Sequence, residues 1–198
     1  MHRLTNDWRV MAVQDVYRVM PWSDAMYGCD SRWWDIHGYC GGYIGHKYST
    51  HDEANNKKLE AAEKHDLQIV RGAHGSTFSR DPELIHYGSN SGFQAVNLAL
   101  LLGCPYIALV GFDMKLTGGK AHFFGDHPKG LHNNKDYGRF TREFDIAAKK
   151  LEGVRIVNAT PGSALKCFEQ MELADALNGG VYRDGAIADA GADRGCAA

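Results

Sequence analysis

The chain has 198 residues, 44% of them hydrophobic and 23% charged, with a formal net charge of −2, the composition of an ordinary globular protein. At that length a single domain buries about 70% of its unfolded-chain surface. The near-neutral balance gives no reason to expect nucleic acid, whose binders carry a basic stripe; no apolar run reaches the roughly 18 residues of a membrane span, and nothing resembles a secretory leader.

In chain order the pattern alternates between strand and helix signals. Residues 9–14 predict a short strand ending at Gln14 and Asp15, and a second strand lies around residues 25–27, followed by Asp30. Residues 31–37 open a short helix, and the Gly- and Tyr-rich GYCGGYIGHKYSTH (38–51) reads as a loop with a short strand. Residues 52–65 are strongly helical, with Asp52 as a possible cap and a charged face of Lys57, Lys58, Glu60, Glu63 and Lys64. A strand at 67–70 precedes a polar, irregular, lid-like segment at 71–87. Trp22, Trp33 and Trp34 read as core or interface aromatics, with base stacking the minority reading.

The most informative stretch is SNSGFQAVNLALLLGCPYIALVGFD, residues 89–113. Ser89, Asn90 and Ser91 are N-cap types, Gly92 permits close approach, and the free amides of a first helical turn favour an anion. Val96 to Leu102 are apolar almost all round, as in a buried helix. Gly103 closes it and Pro105 stops continuation. Residues 106–110 form an apolar run expected of a strand covered on both faces, ending near Asp113. The competing reading is a plain helix cap. In an open α/β sheet the helix start and strand end share one edge, where ligands bind.

A long loop spans residues 115–134, and loops of that length are uncommon and often functional. It holds His122, Asp126, His127 and His132 in AHFFGDHPKGLHN. Histidine serves as a general base near neutral pH. A metal set of the same four residues is the alternative, although the spacing matches no strong metal signature. Ordinary loop histidines are the bland reading. Of the remaining seven, His2, His37, His46, His51, His65 and His86 are scattered and read as structural.

Residues 136–151 predict an amphipathic helix, 154–158 a strand, and 163–176 a final helix started at Thr160-Pro161-Gly162-Ser163. Residues 178–198 are rich in Gly, Ala and Asp and have little to bury, so they are expected to stay disordered or to order on a partner. The domain is therefore placed at 1–177 and a tail at 178–198, with self-association through that tail. The five cysteines, Cys29, Cys40, Cys104, Cys167 and Cys196, show no Cys-x-x-Cys spacing. Cys104 and Cys167 read as core thiols, and a reducing, cytoplasmic setting follows.

The segment 89–113 resembles the central helix-strand unit of the small bacterial sialyltransferases that use a CMP-sugar donor. It is also similar to their wider relatives, a methanogen pterin pyrophosphokinase and uncharacterised bacteriophage and prophage proteins. RVMAVQDVYRVMPWSDAMYGCDSRWW and VRIVNATPGSALKCFEQM extend the resemblance over roughly residues 8–174. The family's first strand and Gly-x-Gly-Pro-Ser-like phosphate loop have no counterpart before Arg9.

The resemblance implies an open, Rossmann-like α/β fold with a mostly parallel sheet and helices on both faces. It also implies a nucleotide or nucleotide-sugar ligand with no separate cofactor. By position His127 is the first choice for the base that deprotonates the acceptor hydroxyl, and His132 the second. Substrate contacts fall to Gln14, Asp30, Ser89, Asn90, Ser91, Gly92, Asp113, Thr160 and Ser163. Gln14 and Asp30 stand where the family has asparagines. Each of these groups has a structural alternative, as a cap or turn residue.

The leading expectation is a glycosyltransferase-like protein. The second is a non-catalytic phage particle component or accessory binding protein on the same fold, in the host cytoplasm or the virion. The third is a pterin or nucleotide pyrophosphokinase relative, in which Asp113 and Asp126 would hold magnesium.

Overall fold

The computed structural model describes residues 8–51, 56–120, 122, 124–125, 127, 131 and 136–178. The tail at 179–198, Asp52, Asp126 and His132 lie outside the described residues.

Among the described residues eight short strands, paired in parallel, form two sheets. The first contains β1 (Met11–Val13), β2 (Ala25–Tyr27), β3 (His46–His51), β4 (Leu67–Ala73) and β5 (Leu84–His86), in that spatial order. It curls into a half-barrel with helices around it, an open Rossmann-like α/β arrangement. The second contains β6 (Tyr106–Leu109), β7 (Arg155–Asn158) and β8 (Glu169–Gln170). Helices α1 (Ser31–Ile36) and α2 (Asn56–His65) cross over within the first sheet. Helix α3 (Ser91–Leu101) joins the two sheets, α4 (Tyr137–Ala148) lies between β6 and β7, and α5 (Leu173–Leu177) follows β8.

Side-chain alternation along the strands decides what each face covers. Ala12, Met26, Leu67 and Ile69 point to the side of Trp33, Trp34 and Ala62, which come from α1 and α2. Met11, Val13, Tyr27, Tyr48 and Val70 point to the other side, against Ala95 and Leu98 of α3. The opposite flank of α3, with Phe93 and Val96, meets Leu109, Ile156 and Phe144. Helix α3 is therefore covered by both sheets and α4, which explains its apolar character on every side.

Polar groups on α3 also tie down the chain around it. Asn97, fully buried, accepts from the amides of Ser79 and His86 at 2.8 and 3.0 Å and donates to the Ser79 carbonyl at 3.1 Å. Gln94 accepts from the Tyr27 hydroxyl at 2.6 Å and donates to the Tyr87 carbonyl at 3.0 Å.

These bonds correct the expected irregular segment at 71–87, because β4 runs on to Ala73 and β5 follows. The expected helix over 163–176 is also overturned. Ser163 Oγ accepts from the Leu165 amide at 3.0 Å and donates to the Phe112 carbonyl at 2.5 Å. Side-chain bonds of that kind offer the backbone an alternative to a helix. Leu165 and Phe168 are buried in the core, and the chain then forms β8 and α5. The expected strand at 106–110 stops at Leu109, and Val110 beyond it is 58% exposed. Trp33 and Trp34 are fully buried, whereas Trp22 is 55% exposed.

One buried and two half-buried tyrosines make the fold sensitive to alkali. Burial pushes Tyr17 up from 10.0 to about 12, with the Cys40 thiol adding to the effect, and burial followed by the Asp35 bond does the same for Tyr39. Enclosed Tyr27 is raised well above the ordinary value, mainly by burial. The fold thus favours the neutral phenols. Their stabilisation is complete below pH 10.0 and is lost as pH climbs through about 12. The unfolding temperature is expected to fall steadily across that window, and a flat profile would contradict the burial of these rings.

Candidate active site at the carboxyl ends of the strands

Immediately beyond β1 the chain turns into a 3₁₀ helix, Gln14–Arg18. Gln14 adopts φ of +50°, and Ser89 after β5 and Met114 after β6 adopt +67° and +50°. Non-glycine residues reach this left-handed region at a cost, and such outliers cluster at functional sites. Of the six such residues among the described residues, these three follow the carboxyl ends of strands, the edge at which open α/β sheets bind ligands, while Tyr39, Cys40 and Asp66 lie elsewhere.

Asp15 is the centre of the arrangement, although it is 1% exposed. Its Oδ2 accepts from the Trp33 indole at 2.9 Å. His37, the residue after α1, stacks on Trp33 with ring centres 4.3 Å apart and places Nε2 3.3 Å from Asp15 Oδ1. Its Nδ1 lies 2.8 Å from the Trp33 carbonyl, an acceptor only, so that nitrogen carries a proton. Arg18 approaches Asp15 Oδ1 at 3.7 Å from the solvent side. The loop between β6 and α4 brings in His127, with Nδ1 3.7 Å from Asp15 Oδ2, an ion-pair separation rather than a hydrogen bond. His122 and Phe124 flank the His127 ring at 4.6 and 5.2 Å, and Leu131 of the same loop packs into the Trp33–Trp34 cluster.

The chemistry follows from those contacts. A buried carboxylate within ion-pair distance of an imidazole favours its protonated form, which is what a histidine that takes up a proton needs. Asp15→Ala is expected to lower stability by about 1–3 kcal/mol, because it strands the Trp33 and His37 donors in a buried place. Asp15→Asn, which keeps an acceptor for Trp33, is expected to cost less. Urea unfolding measures both, and an Asp15→Ala variant as stable as the parent would contradict this geometry.

The other sequence-predicted residues divide. Asp30 caps α1, accepting from the Arg32 amide at 2.8 Å, and Asn90 caps α3, accepting from Phe93 at 2.8 Å. Ser91 Oγ sits 3.1 Å from the Cys29 thiol, and Gly92 lies so close to the Phe112 ring that a Cβ would meet it at 2.9 Å. Asp113 accepts from the Thr117 hydroxyl at 2.9 Å. Thr160 accepts from the Phe112 amide at 2.9 Å, so Thr160 and Ser163 brace the ends of β6 and β7 against each other. Ser89 faces a cleft with His74, Tyr87, Arg139 and Glu143. Sequence reasoning missed Asp15 as a partner of His127, and it read His37 as a structural residue. No local spacing joins residues 15, 37 and 127.

Among the described residues no three His, Cys, Asp or Glu side chains converge as a metal-holding group. Burial pushes the Cys40 thiol up and the Cys167 thiol up to about 12, so neither is a ready thiolate near neutral pH. No helix among the described residues is long and apolar enough to cross a membrane.

Fold and site together define an open α/β arrangement with a carboxylate–imidazole centre at the carboxyl ends of its strands. No protein-family model, curated protein or solved structure matches the chain.

Proposed function

We propose that the protein binds a nucleotide sugar at the carboxyl ends of its strands and transfers the sugar with His127 as general base. The observation that carries the reading is the approach of His127 Nδ1 to within 3.7 Å of buried Asp15 Oδ2. In the transfer step Nε2 takes the proton from the acceptor hydroxyl as that oxygen bonds to the anomeric carbon. The bond from the anomeric carbon to the donor phosphate breaks, and the nucleotide leaves with the bonding pair. Asp15 steadies the imidazolium that results, and its burial strengthens the interaction.

The α3 amino terminus supports donor binding. Asn90 bonds the Phe93 amide, while the first turn of an α-helix leaves further amides without helical partners. Together with the helix dipole these suit a phosphate.

A nucleotide or nucleotide sugar is accordingly expected to raise the unfolding temperature. A ligand at a hundredfold excess over its dissociation constant adds about 2.7 kcal/mol. Thermal unfolding with a panel of CMP, UMP, GMP, AMP and their sugar conjugates at millimolar concentration checks this. If no member shifts the transition, the nucleotide reading fails.

A further inference from the structure

We infer that the cleft between α4 and the turns after β4 and β5 seats a sugar phosphate, with Glu143 receiving sugar hydroxyls and Arg139 meeting the phosphate. The cleft has a volume of about 280 Å³ and is lined by His74, Gly75, Ser76, Tyr87, Gly88, Ser89, Arg139 and Glu143. Pockets for drug-sized ligands span roughly 300–1,000 Å³, so this one suits a monosaccharide phosphate better than a whole nucleotide sugar.

Glu143 is the informative residue. Its side chain is 14% exposed, yet Oε2 is enclosed and has no hydrogen-bond partner, while Oε1 is only 4.0 Å from Arg139 Nε. A buried acceptor without a donor is costly, and it calls for a group from outside. Hydroxyl donors of a sugar would supply one. Arg139 sits one turn earlier on α4 with its side chain 53% exposed at the mouth, and beyond its long contact with Glu143 its planar fork can meet an anion.

The facing wall is built in advance. Gly88, at φ of +48°, is so close to Phe93 that a Cβ would lie 2.1 Å from the ring. Gly75 is pressed against the His86 ring in the same way. The Tyr87 hydroxyl donates to the Gly72 carbonyl at 2.8 Å, and Gln94 of α3 holds the Tyr87 carbonyl. His74 stands edge-on to the Tyr87 ring, 5.3 Å between centres, and Ser89 completes the rim. A rigid wall spares the ligand the cost of ordering it.

The choice of a sugar phosphate, among hydroxyl-bearing anions, rests on the nucleotide-sugar reading above. The test needs no catalysis. Glucose 1-phosphate, galactose 1-phosphate, N-acetylglucosamine 1-phosphate, glucose and inorganic phosphate are titrated into the full chain by calorimetry, with Glu143→Gln and Arg139→Gln alongside. At least one sugar phosphate is expected to bind more tightly than phosphate or glucose alone. Each variant is expected to weaken it by at least about tenfold, the loss that follows removal of a hydrogen bond to a charged group. Glu143→Gln should not weaken binding of inorganic phosphate, because it removes a negative charge beside Arg139.

A protein that binds none of the sugar phosphates overturns the assignment, as do variants that bind them as tightly as the parent. Should Glu143→Gln fail to fold, the His74 ring resonance of the parent protein decides. A shift during the sugar phosphate titration supports the cleft, and a stationary resonance overturns it. A chain that consumes a nucleotide sugar but ignores sugar phosphates refutes this cleft and leaves the transferase reading intact. One that binds sugar phosphates here and consumes no donor does the reverse.

Discussion

Replacing His127 by alanine is expected to lower turnover of a nucleotide-sugar donor by roughly 10²–10⁴-fold, the contribution of a positioned general base. Donor affinity should change little, because the imidazole acts on the acceptor hydroxyl. The expectation comes from geometry: Asp15, at 1% exposure, lies 3.7 Å from His127 Nδ1. Asp15→Asn is a positioning variant in this account. It should lower the turnover number more than it raises the Michaelis constant, and it should move the pH profile, because the neutral amide no longer favours the imidazolium. A His127→Ala variant with full turnover removes the mechanism. His132, outside the described residues, is the control: His132→Ala should retain activity, and a loss there instead would pass the role to it.

The largest stability effect is expected at Phe144. Its ring is fully buried, with Phe93, Phe112, Phe168 and Phe78 centred 5.1, 6.1, 6.0 and 6.3 Å away. Four aromatic neighbours on α3, on the chain after β6 and β7, and before β5 cannot all collapse into the space left behind. Phe144→Ala is therefore expected to cost about 3–5 kcal/mol in urea unfolding. Ile146, two residues away on the same helix and 36% exposed, is the comparison, and its alanine variant should stay within about 0.5 kcal/mol of the parent. Equal effects at the two positions would contradict the packing of α4 against α3.

How much of this was legible depends on the range of the interactions. Helix α3 and strand β6 could be read because their signals are local: an Asn90 cap, an apolar run, Gly103 at φ of +83° and Pro105. Strand β5 could not, since residues 84–86 carry little pattern of their own and are held by pairing with β4 and by Asn97 on α3. The final helix was misread because Thr160-Pro161-Gly162-Ser163 carries a plausible start signal, while the Ser163 bonds to Leu165 and Phe112 that prevent it are partly long-range. In the site, His127 stood out from its crowded loop. Its carboxylate partner did not, because residues 15 and 127 meet only through the fold. Nothing in the amphipathic pattern of 136–151 marks Glu143, and only the enclosure of Oε2 sets it apart.

The central claim is transfer from a nucleotide sugar at the strand carboxyl ends. Chromatography of a panel of CMP-, UDP- and GDP-sugars incubated with the full chain and simple acceptor sugars tests it most directly. The account predicts that one donor class is consumed with release of its free nucleotide, and that His127→Ala abolishes the release. A panel left intact, or consumption that persists in His127→Ala, would contradict it.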